Sequence, residues 1–418
     1  MLRSRLLQLA SVVTVAAVSA AYAAPAGAQA DRGNKDGQLV IGSLAPETGD
    51  LSAILDSLRL PVGIAVDEIN AAGGVNGQPV KEVTGDDGTD PQVASQTLDR
   101  LLTSDKVDAI MGPASSSTAL GIIDKIKTNA VLTCSGSTTS ADLSKPKAGG
   151  YFFRTAPPDR LQGPALAELV LSDGHSKVGI LTRNDSYGVG FGKALNKALK
   201  QGGAKVVANV AYDAKGSNFD SDVQKVASKK PDAVIVIGFN DDGAKVVQTM
   251  IAKGIGPGDV PLYTADGMQS SKFATTLDPS DASKAEGIKG TAPAGAPAGI
   301  QSPFQPVFAA KGVDPIFSAY YYDCTILTAL AAVKAKSDDP AKLKKNFTAN
   351  LKGKEDCDTF ADCKTLLEDG KTIHWRGASS KFDKFGKTEP NQGVYDVWSY
   401  DTAGKVQTED PSSQIKIG

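Results

Sequence analysis

Three observations predict an α/β protein of two Rossmann-like lobes with parallel central sheets: two successive series of alternating strand and helix signals, a length beyond one hydrophobic core, and a glycine-rich, aromatic-poor composition. The chain has 418 residues, 43 glycines and 6% aromatics, which suits short buried strands joined by tight turns. Single cores stop growing at about 250–300 residues, so two lobes are expected.

The first series opens with a buried strand at 39–44 and a helix at 58–72 that ends on Asn70-Ala71-Ala72-Gly73-Gly74. A strand at 80–86, a helix from Pro91, a strand at 107–111, a helix from Ser115 and a strand at 131–133 continue it. Arg154-Thr155-Ala156-Pro157-Pro158-Asp159 interrupts the rhythm. The second series has strands at 177–182, 204–211, 233–238 and 262–264, with helices between. An Ala-Gly-Pro stretch at 290–301 breaks the pattern again, and 317–333 reads as one long apolar helix. Runs this apolar belong to parallel sheets covered on both faces, and the order of the series implies lobes joined by more than one crossing.

The first thirty residues read as an export signal: Arg3 and Arg5, an apolar run from Leu6 to Ala24, then Ala28-Gln29-Ala30 as a small-x-small cleavage site. An N-terminal anchor is the alternative, but Pro, Gly and Gln follow the run rather than a basic stop-transfer flank. The product is expected in the periplasm or at the cell surface. Removing thirty residues from 418 leaves 388, and the loss of two arginines moves the formal charge from −2 to −4. With no basic run or aromatic-interleaved basic patch, that balance argues against nucleic acid.

Cys134, Cys324, Cys357 and Cys363 are expected to pair in an exported chain. Three pairings are open. The short spacing favours Cys357 with Cys363 across a polar loop, leaving Cys134 and Cys324 to pair or to stay as buried thiols. A zinc site is not expected, because the spacing is wrong and only His175 and His374 could assist.

Two hydroxyl-rich turns carry the binding chemistry. Met111-Gly112-Pro113-Ala114-Ser115-Ser116-Ser117-Thr118 joins a strand to a helix, so Ser115 can cap the helix while first-turn amides and the positive dipole end face an anion. Thr133-Cys134-Ser135-Gly136-Ser137-Thr138-Thr139-Ser140 repeats the arrangement after the next strand. Sites in open α/β sheets lie outside the carboxyl ends of strands, and with two lobes they lie in the cleft. Asp86-Asp87, Ser115, Thr139, Phe239 and Asp266 each follow a predicted strand.

Enzyme chemistry finds less support. A serine hydrolase needs a Gly-x-Ser-x-Gly elbow and a placed base, which the chain lacks. His175 and His374 read as surface residues, the latter in a polar hairpin. Gly188-Val189-Gly190-Phe191-Gly192 fails as a nucleotide loop, because its third glycine comes one residue early. Asp86, Asp87 and Asp90 read as a solvated loop feeding the helix at Pro91 rather than a cation site.

Several segments resemble one family across the whole mature chain: Ile41-Gly42-Ser43, Thr48-Gly49, the element Asn70-Ala71-Ala72-Gly73-Gly74-Val75-Asn76-Gly77, the triple-serine turn, Asp185-Ser186-Tyr187-Gly188, and 377–386 with Phe382-Asp383 as a closing hairpin. They are similar to type I periplasmic solute-binding proteins of ABC importers, in the branched-chain amino-acid group. The resemblance implies a Venus-flytrap of two lobes hinged by three crossovers, with residues 31–157 and about 290–388 in the first lobe and 158–289 and about 389–418 in the second. It further implies an amino-acid ligand, an ABC permease with its ATPase subunits as partners, a monomer, no cofactor and no catalysis. A signalling relative of the same fold is the runner-up, disfavoured because no membrane-spanning or kinase segment follows in the sequence.

By the same resemblance Ser115 and Thr139, supported by Ser116 and Thr138, hold the ligand's α-carboxylate, the Ser137 carbonyl receives its α-ammonium, and Asp266 completes that contact from the second lobe. Phe239 stands where the family often has tyrosine, Ile54 where an aromatic wall residue is common, and Asp266 where glutamate is frequent. The acid then reaches about one methylene less far, which admits a water bridge or a larger ligand. Phe317 and Tyr320 are candidates for the pocket wall, with plain core as the alternative. Leucine, isoleucine and valine are expected ligands, with other α-amino acids, amides and aromatic acids left open.

Overall fold

The computed structural model describes residues 36–144 and 149–418; the export segment 1–30 lies outside them. One sheet is wholly parallel, in the order β2-β1-β3-β4-β5, from β1 (Val40–Ala45), β2 (Lys81–Asp86), β3 (Ala109–Met111), β4 (Leu132–Ser135) and β5 (Phe152–Arg154). Its central strands are buried along their length, whereas β2 at the edge alternates exposed and covered positions. Two β-α series thus give two lobes, because the next strands pair only with one another.

The second sheet has a parallel heart: β6 (Lys177–Arg183), β7 (Lys205–Tyr212), β8 (Ala233–Ile237), β9 (Leu262–Thr264) and β10 (Lys289–Pro293). The run Ala233-Val234-Ile235-Val236-Ile237 is buried throughout, as a central strand covered on both faces requires. β10 pairs with β9 and so belongs to this sheet. After a small parallel pair, β11 (Glu355–Cys357) and β12 (Ile373–Trp375), the chain returns as β13 (Gly393–Tyr400), antiparallel to β10. β14 (Val406–Thr408) and β15 (Ile415–Ile417) flank β13, again antiparallel. These closing strands lay outside the sequence reading. They give the second sheet the order β14-β13-β10-β9-β8-β6-β7, with β15 beside β13.

The helix at Leu55–Ala71 stops where the glycines begin, and there Asn70 takes the Val80 amide at 2.7 Å and gives its own amide to the Val80 carbonyl at 3.0 Å. Gly74 has φ +66°, and a Cβ there would lie 2.0 Å from the Gln78 carbonyl oxygen. The Asn-Ala-Ala-Gly-Gly element is therefore a staple between helix and strand. The long apolar helix, Ser318–Ala335, is buried through Val333 and packs on Leu55–Ala71 and on β4. Cys134 of β4 bonds to Cys324 of this helix, and Cys357 to Cys363. The segment between the latter pair is not a polar loop: β11 runs directly into the helix Phe360–Glu368, and Phe360 is fully buried.

Two further expectations change. His374 lies in β12, where its Nε2 meets the Lys381 carbonyl at 3.1 Å, because the parallel partner of β11 occupies the place expected of a polar hairpin. Among the described residues 377–386 forms no paired strands; a Gly377–Ser380 turn and an isolated Phe385–Pro390 bridge stand there instead. No helix of the described residues is long and apolar enough to cross a membrane.

Candidate functional site

The carboxyl ends of β3, β4, β6, β8 and β9 converge on a cavity of about 20 Å³ between the lobes. Ile54, Ser115, Ser116, Ser137, Thr139, Phe239, Asp266 and Phe317 line it, together with Leu51, Ala114, Tyr187 and Gly267.

Local rules build the first wall. Ser115 caps the helix Ser116–Asn129: its hydroxyl accepts the Thr118 amide at 3.1 Å, leaving the other first-turn amides without intrahelical partners. Ser116 Oγ accepts the Ser140 amide at 3.1 Å and so ties the first turn to the second. Ser137 gives its hydroxyl to the Ala114 carbonyl at 2.9 Å, and Tyr321 Oη lies 3.1 Å from it. Asp87 is not solvated, as the sequence suggested. It is fully buried, takes the Ala114 amide at 2.8 Å and the Thr89 amide at 2.7 Å, and is pushed up to about 6 by that burial. The sequence reads it as loop because its partner, the turn at Ala114, lies 27 residues away. Asp90 caps the helix at Pro91, its side chain accepting the Gln92 and Val93 amides.

Acid groups face these turns. Asp266 Oδ1 receives Gln162 Nε2 at 2.7 Å and the Tyr187 hydroxyl at 3.3 Å; burial pushes the group up to about 6, against the pull of those two bonds. Asp159, the first residue of the helix Asp159–Ser172, is completely buried, and its two oxygens have no hydrogen-bond partner among the described residues. Burial first and Asp266 second hold its carboxyl well above the usual range. Thr139 lies alongside and favours the charged form, but no hydrogen bond of regular geometry closes between them, and Thr139 Oγ1 is itself unpartnered. Asp266, enclosed at the cavity with only neutral partners, makes a place for a cation, whereas Asp159 is buried outside the cavity lining and feels the charge of Arg154.

The remaining wall is apolar. Phe239 stacks on Tyr187 with centroids 5.4 Å apart, and the Arg183 guanidinium lies over its ring, 3.6 Å from the centroid. Arg183 is held by Asp242 at 2.8 Å and Asp185 at 2.6 Å, and reaches across the cleft to Asp50 at 3.2 Å. Phe317 closes the far side from a left-handed backbone, φ +60°, a conformation uncommon for a bulky residue.

Two candidates fall outside the cavity. Thr138 lies behind the turn, its carbonyl taking Arg154 Nη1 at 3.0 Å. Tyr320 faces a hinge-side cavity and gives its hydroxyl to the Ala294 carbonyl at 3.1 Å. Sequence reasoning missed Asp159, Gln162 and the role of Tyr187. Tyr187 follows β6 by four residues and so obeyed the strand-end rule. Neither His175 nor His374 lines the cavity. The glycines of 188–192 serve packing: a Cβ on Gly188 would lie 2.2 Å from the Arg183 carbonyl oxygen.

A small molecule with an anionic end, a cationic end and an apolar remainder matches these walls. Known proteins point the same way. The chain is 27% identical over 314 residues to the leucine-, isoleucine-, valine-, threonine-, and alanine-binding protein of Pseudomonas aeruginosa, covering 73% of this chain and 80% of that one. It is 26% identical over 292 residues to the Leu/Ile/Val-binding protein of Escherichia coli K12, covering 68% and 76%. A match to the Leu/Ile/Val-binding protein BraC3 of Rhizobium johnstonii, 27% identical, spans 56% of this chain and 63% of that protein. In fold it superimposes on the leucine-binding protein LivK of Thermotoga maritima with a TM-score of 0.73 at 20% identity, covering 91% of this chain and 99% of that one. A solute-binding protein of Rhodopseudomonas palustris in complex with 4-hydroxybenzoate gives 0.69 at 15% identity, covering 91% and 97%. A family model described as periplasmic binding protein matches residues 38–374, and the chain belongs to that family.

Proposed function

We propose that the protein is the extracytoplasmic solute-binding component of an ABC importer, which captures an aliphatic α-amino acid between its lobes and delivers it to a membrane permease and its ATPase subunits. The observation that carries this reading is the meeting, in one cavity, of hydroxyl-rich helix and strand ends, the buried carboxyl of Asp266 and an apolar wall. Ser115, Thr139 and the helix-start amides take the α-carboxylate, since charge-assisted bonds at a helix N-terminus hold an anion without an arginine. Asp266 and the Ser137 carbonyl take the ammonium. Ile54, Leu51, Phe239 and Phe317 surround the side chain once the lobes part to admit it, since the cavity of about 20 Å³ has room for no more than a water. Ser116, at the cavity wall, and Thr138, behind it, are already engaged with Ser140 and Arg154 and support the turns.

Relatives that bind leucine, isoleucine and valine support the aliphatic class. The lining side chains offer no histidine, lysine or cysteine, which favours capture over conversion. We place the second crossover just after Pro293 and the others near 157 and 389, and we expect export with removal of 1–30 and a monomer. An aromatic acid is the second reading, motivated by the neighbour in complex with 4-hydroxybenzoate, but it would leave Asp266 without a cation.

A thermal-shift screen of amino acids, amides and aromatic acids tests the assignment. At a hundredfold excess over Kd, a true ligand adds about 2.7 kcal/mol of stability. A shift with aromatic acids and none with any amino acid would discard the proposal.

A further inference from the structure

Behind the second hydroxyl turn, Arg154 is completely buried at the end of β5, and all five of its N–H donors are used. Nη1 donates to the carbonyls of Thr138 at 3.0 Å and Ser140 at 2.8 Å, and Nη2 to Ser144 Oγ at 2.9 Å. Nε donates to Glu389 Oε2 at 3.0 Å, and Nη2 reaches the same oxygen. Burying a guanidinium is costly unless each donor is satisfied, so this constellation resists distortion. The two carbonyls flank Thr139. In a trans peptide the N–H points opposite the preceding C=O, so fixing the Thr138 carbonyl on the guanidinium turns the Thr139 amide to the opposite side. Thr139 itself lines the cavity.

Glu389 extends this arrangement to the hinge. Its other oxygen accepts Arg160 Nη2 at 3.1 Å, and the same nitrogen donates to the Pro390 carbonyl at 3.2 Å and Asn391 Oδ1 at 2.7 Å. Arg154 ends the last strand of the first sheet, whereas Arg160 lies in the first turn of the helix that enters the second lobe. One carboxylate on the third crossover therefore spans both sides of the first. The limb to Arg154 is buried; that to Arg160, 37% exposed, is the one able to give when the lobes rotate.

We infer that Arg154 is a positioning residue for the carboxylate subsite, aiming Thr139 at the ligand, and that Glu389 couples it through Arg160 to the opening of the lobes. The inference rests on the proposed amino-acid reading. Its test compares the full-length protein with the variants Arg154→Lys, Glu389→Gln and Arg160→Ala, titrated by calorimetry with leucine and with leucinamide, which lacks the carboxylate, and followed by small-angle scattering. Lysine keeps the charge but cannot fork to two carbonyls and a carboxylate. Arg154→Lys and Glu389→Gln are expected to lower the preference for leucine over leucinamide at least fivefold. Arg160→Ala is expected to keep that preference, weaken both ligands by a common two- to tenfold, and shift the ligand-free scattering towards a more open form. Equal weakening of both ligands by Arg154→Lys and Glu389→Gln would reduce Arg154 to plain scaffolding and overturn the positioning role; an Arg160→Ala variant with parental affinity and scattering would overturn the coupling. Should Arg154→Lys not fold, Glu389→Gln decides the positioning role by the same ratio. A parent that binds no amino acid would instead overturn the underlying reading, and this inference with it.

Discussion

Tyr187 donates its hydroxyl to Oδ1 of Asp266 across 3.3 Å, and Gln162 donates to the same oxygen at 2.7 Å. Both bonds fall on Oδ1, so Oδ2 is the oxygen left to accept a ligand's ammonium. The short acid at this position is thus held by two neutral donors.

Asp266→Ala should then be the most damaging single change to binding. It leaves an enclosed ammonium without its counter-charge, a loss of about 3–5 kcal/mol, or a few hundredfold and more in affinity. Ser115→Ala should cost less, about 1–3 kcal/mol, since helix-start amides remain for the carboxylate. It should also lower ligand-free stability by about 1 kcal/mol through loss of the cap. Calorimetry on both variants gives the order, and parental affinity in Asp266→Ala would refute the grip across the cleft.

The pH dependence of binding follows from the same carboxyl. Asp266, raised to about 6, takes up a proton as pH falls through that value; a ligand ammonium favours the charged form, so binding must expel that proton. Affinity should fall about tenfold from pH 7 to pH 5 and level off above pH 7. The stability contribution has the opposite sign: with the folded pKa above the unfolded one, it is present below about pH 4 and lost as pH rises through about 6. Gln162 and Tyr187 do not titrate in this range, and Asp159 carries its own raised carboxyl, so Asp266→Asn separates the two. Weak binding in that variant that no longer changes between pH 5 and 7 is the expected result; an unchanged slope would transfer the effect to Asp159.

The sheets were legible because their strands, such as Ala233–Ile237, are continuous apolar runs, and the turns were legible because Ser115 caps a helix by a local rule. Asp159 and Gln162 were not, because they approach Asp266 only after a helix is laid across β10 and β13, a contact between residues more than a hundred apart. Phe317 and Tyr320 look alike in sequence, three positions apart. Phe317 stands outside the helix with φ +60°, so its ring leaves the face that Tyr320 keeps, and only Phe317 reaches the cavity. The closing strands from Gly393 alternate in burial along an antiparallel edge and carry no long apolar run.

Asp108 should be a destabilising residue at neutral pH. It is buried, takes the Val40 amide on Oδ2 at 2.8 Å, has no partner on Oδ1 among the described residues, and is pushed up to about 8 by burial, with Asp338 and Asp36 adding to it. The folded state holds this proton where the unfolded chain releases it, so stability drains away as pH rises from about 4 to about 8. Asp108→Asn keeps an acceptor for Val40 and removes the charge. Denaturant melts should find it more stable by on the order of a few kcal/mol at pH 7, with the advantage shrinking towards pH 4. A variant no more stable than the parent at pH 7 would count against the buried proton.

The two disulfides should differ sharply in worth. Cys134 and Cys324 close a separation of 190 residues with Cα atoms 5.7 Å apart, whereas Cys357 and Cys363 close only 6, at 5.4 Å. In the chain-entropy account, the long closure removes about 5 kcal/mol of unfolded-state freedom and the short one about 2. The long bridge also fastens β4, one residue before Ser135, to the helix whose Tyr321 meets Ser137. Replacing Cys134 and Cys324 by serine should therefore cost about twice as much stability as replacing Cys357 and Cys363, and should weaken ligand binding as well, because the second hydroxyl turn loses its anchor. Non-reducing peptide mapping checks the pairing, and denaturant titration of the two double variants checks the ranking. Free, alkylated Cys134 in protein recovered from the extracytoplasmic fraction would remove the long bridge, and equal destabilisation by both double variants would show that loop length does not govern the effect.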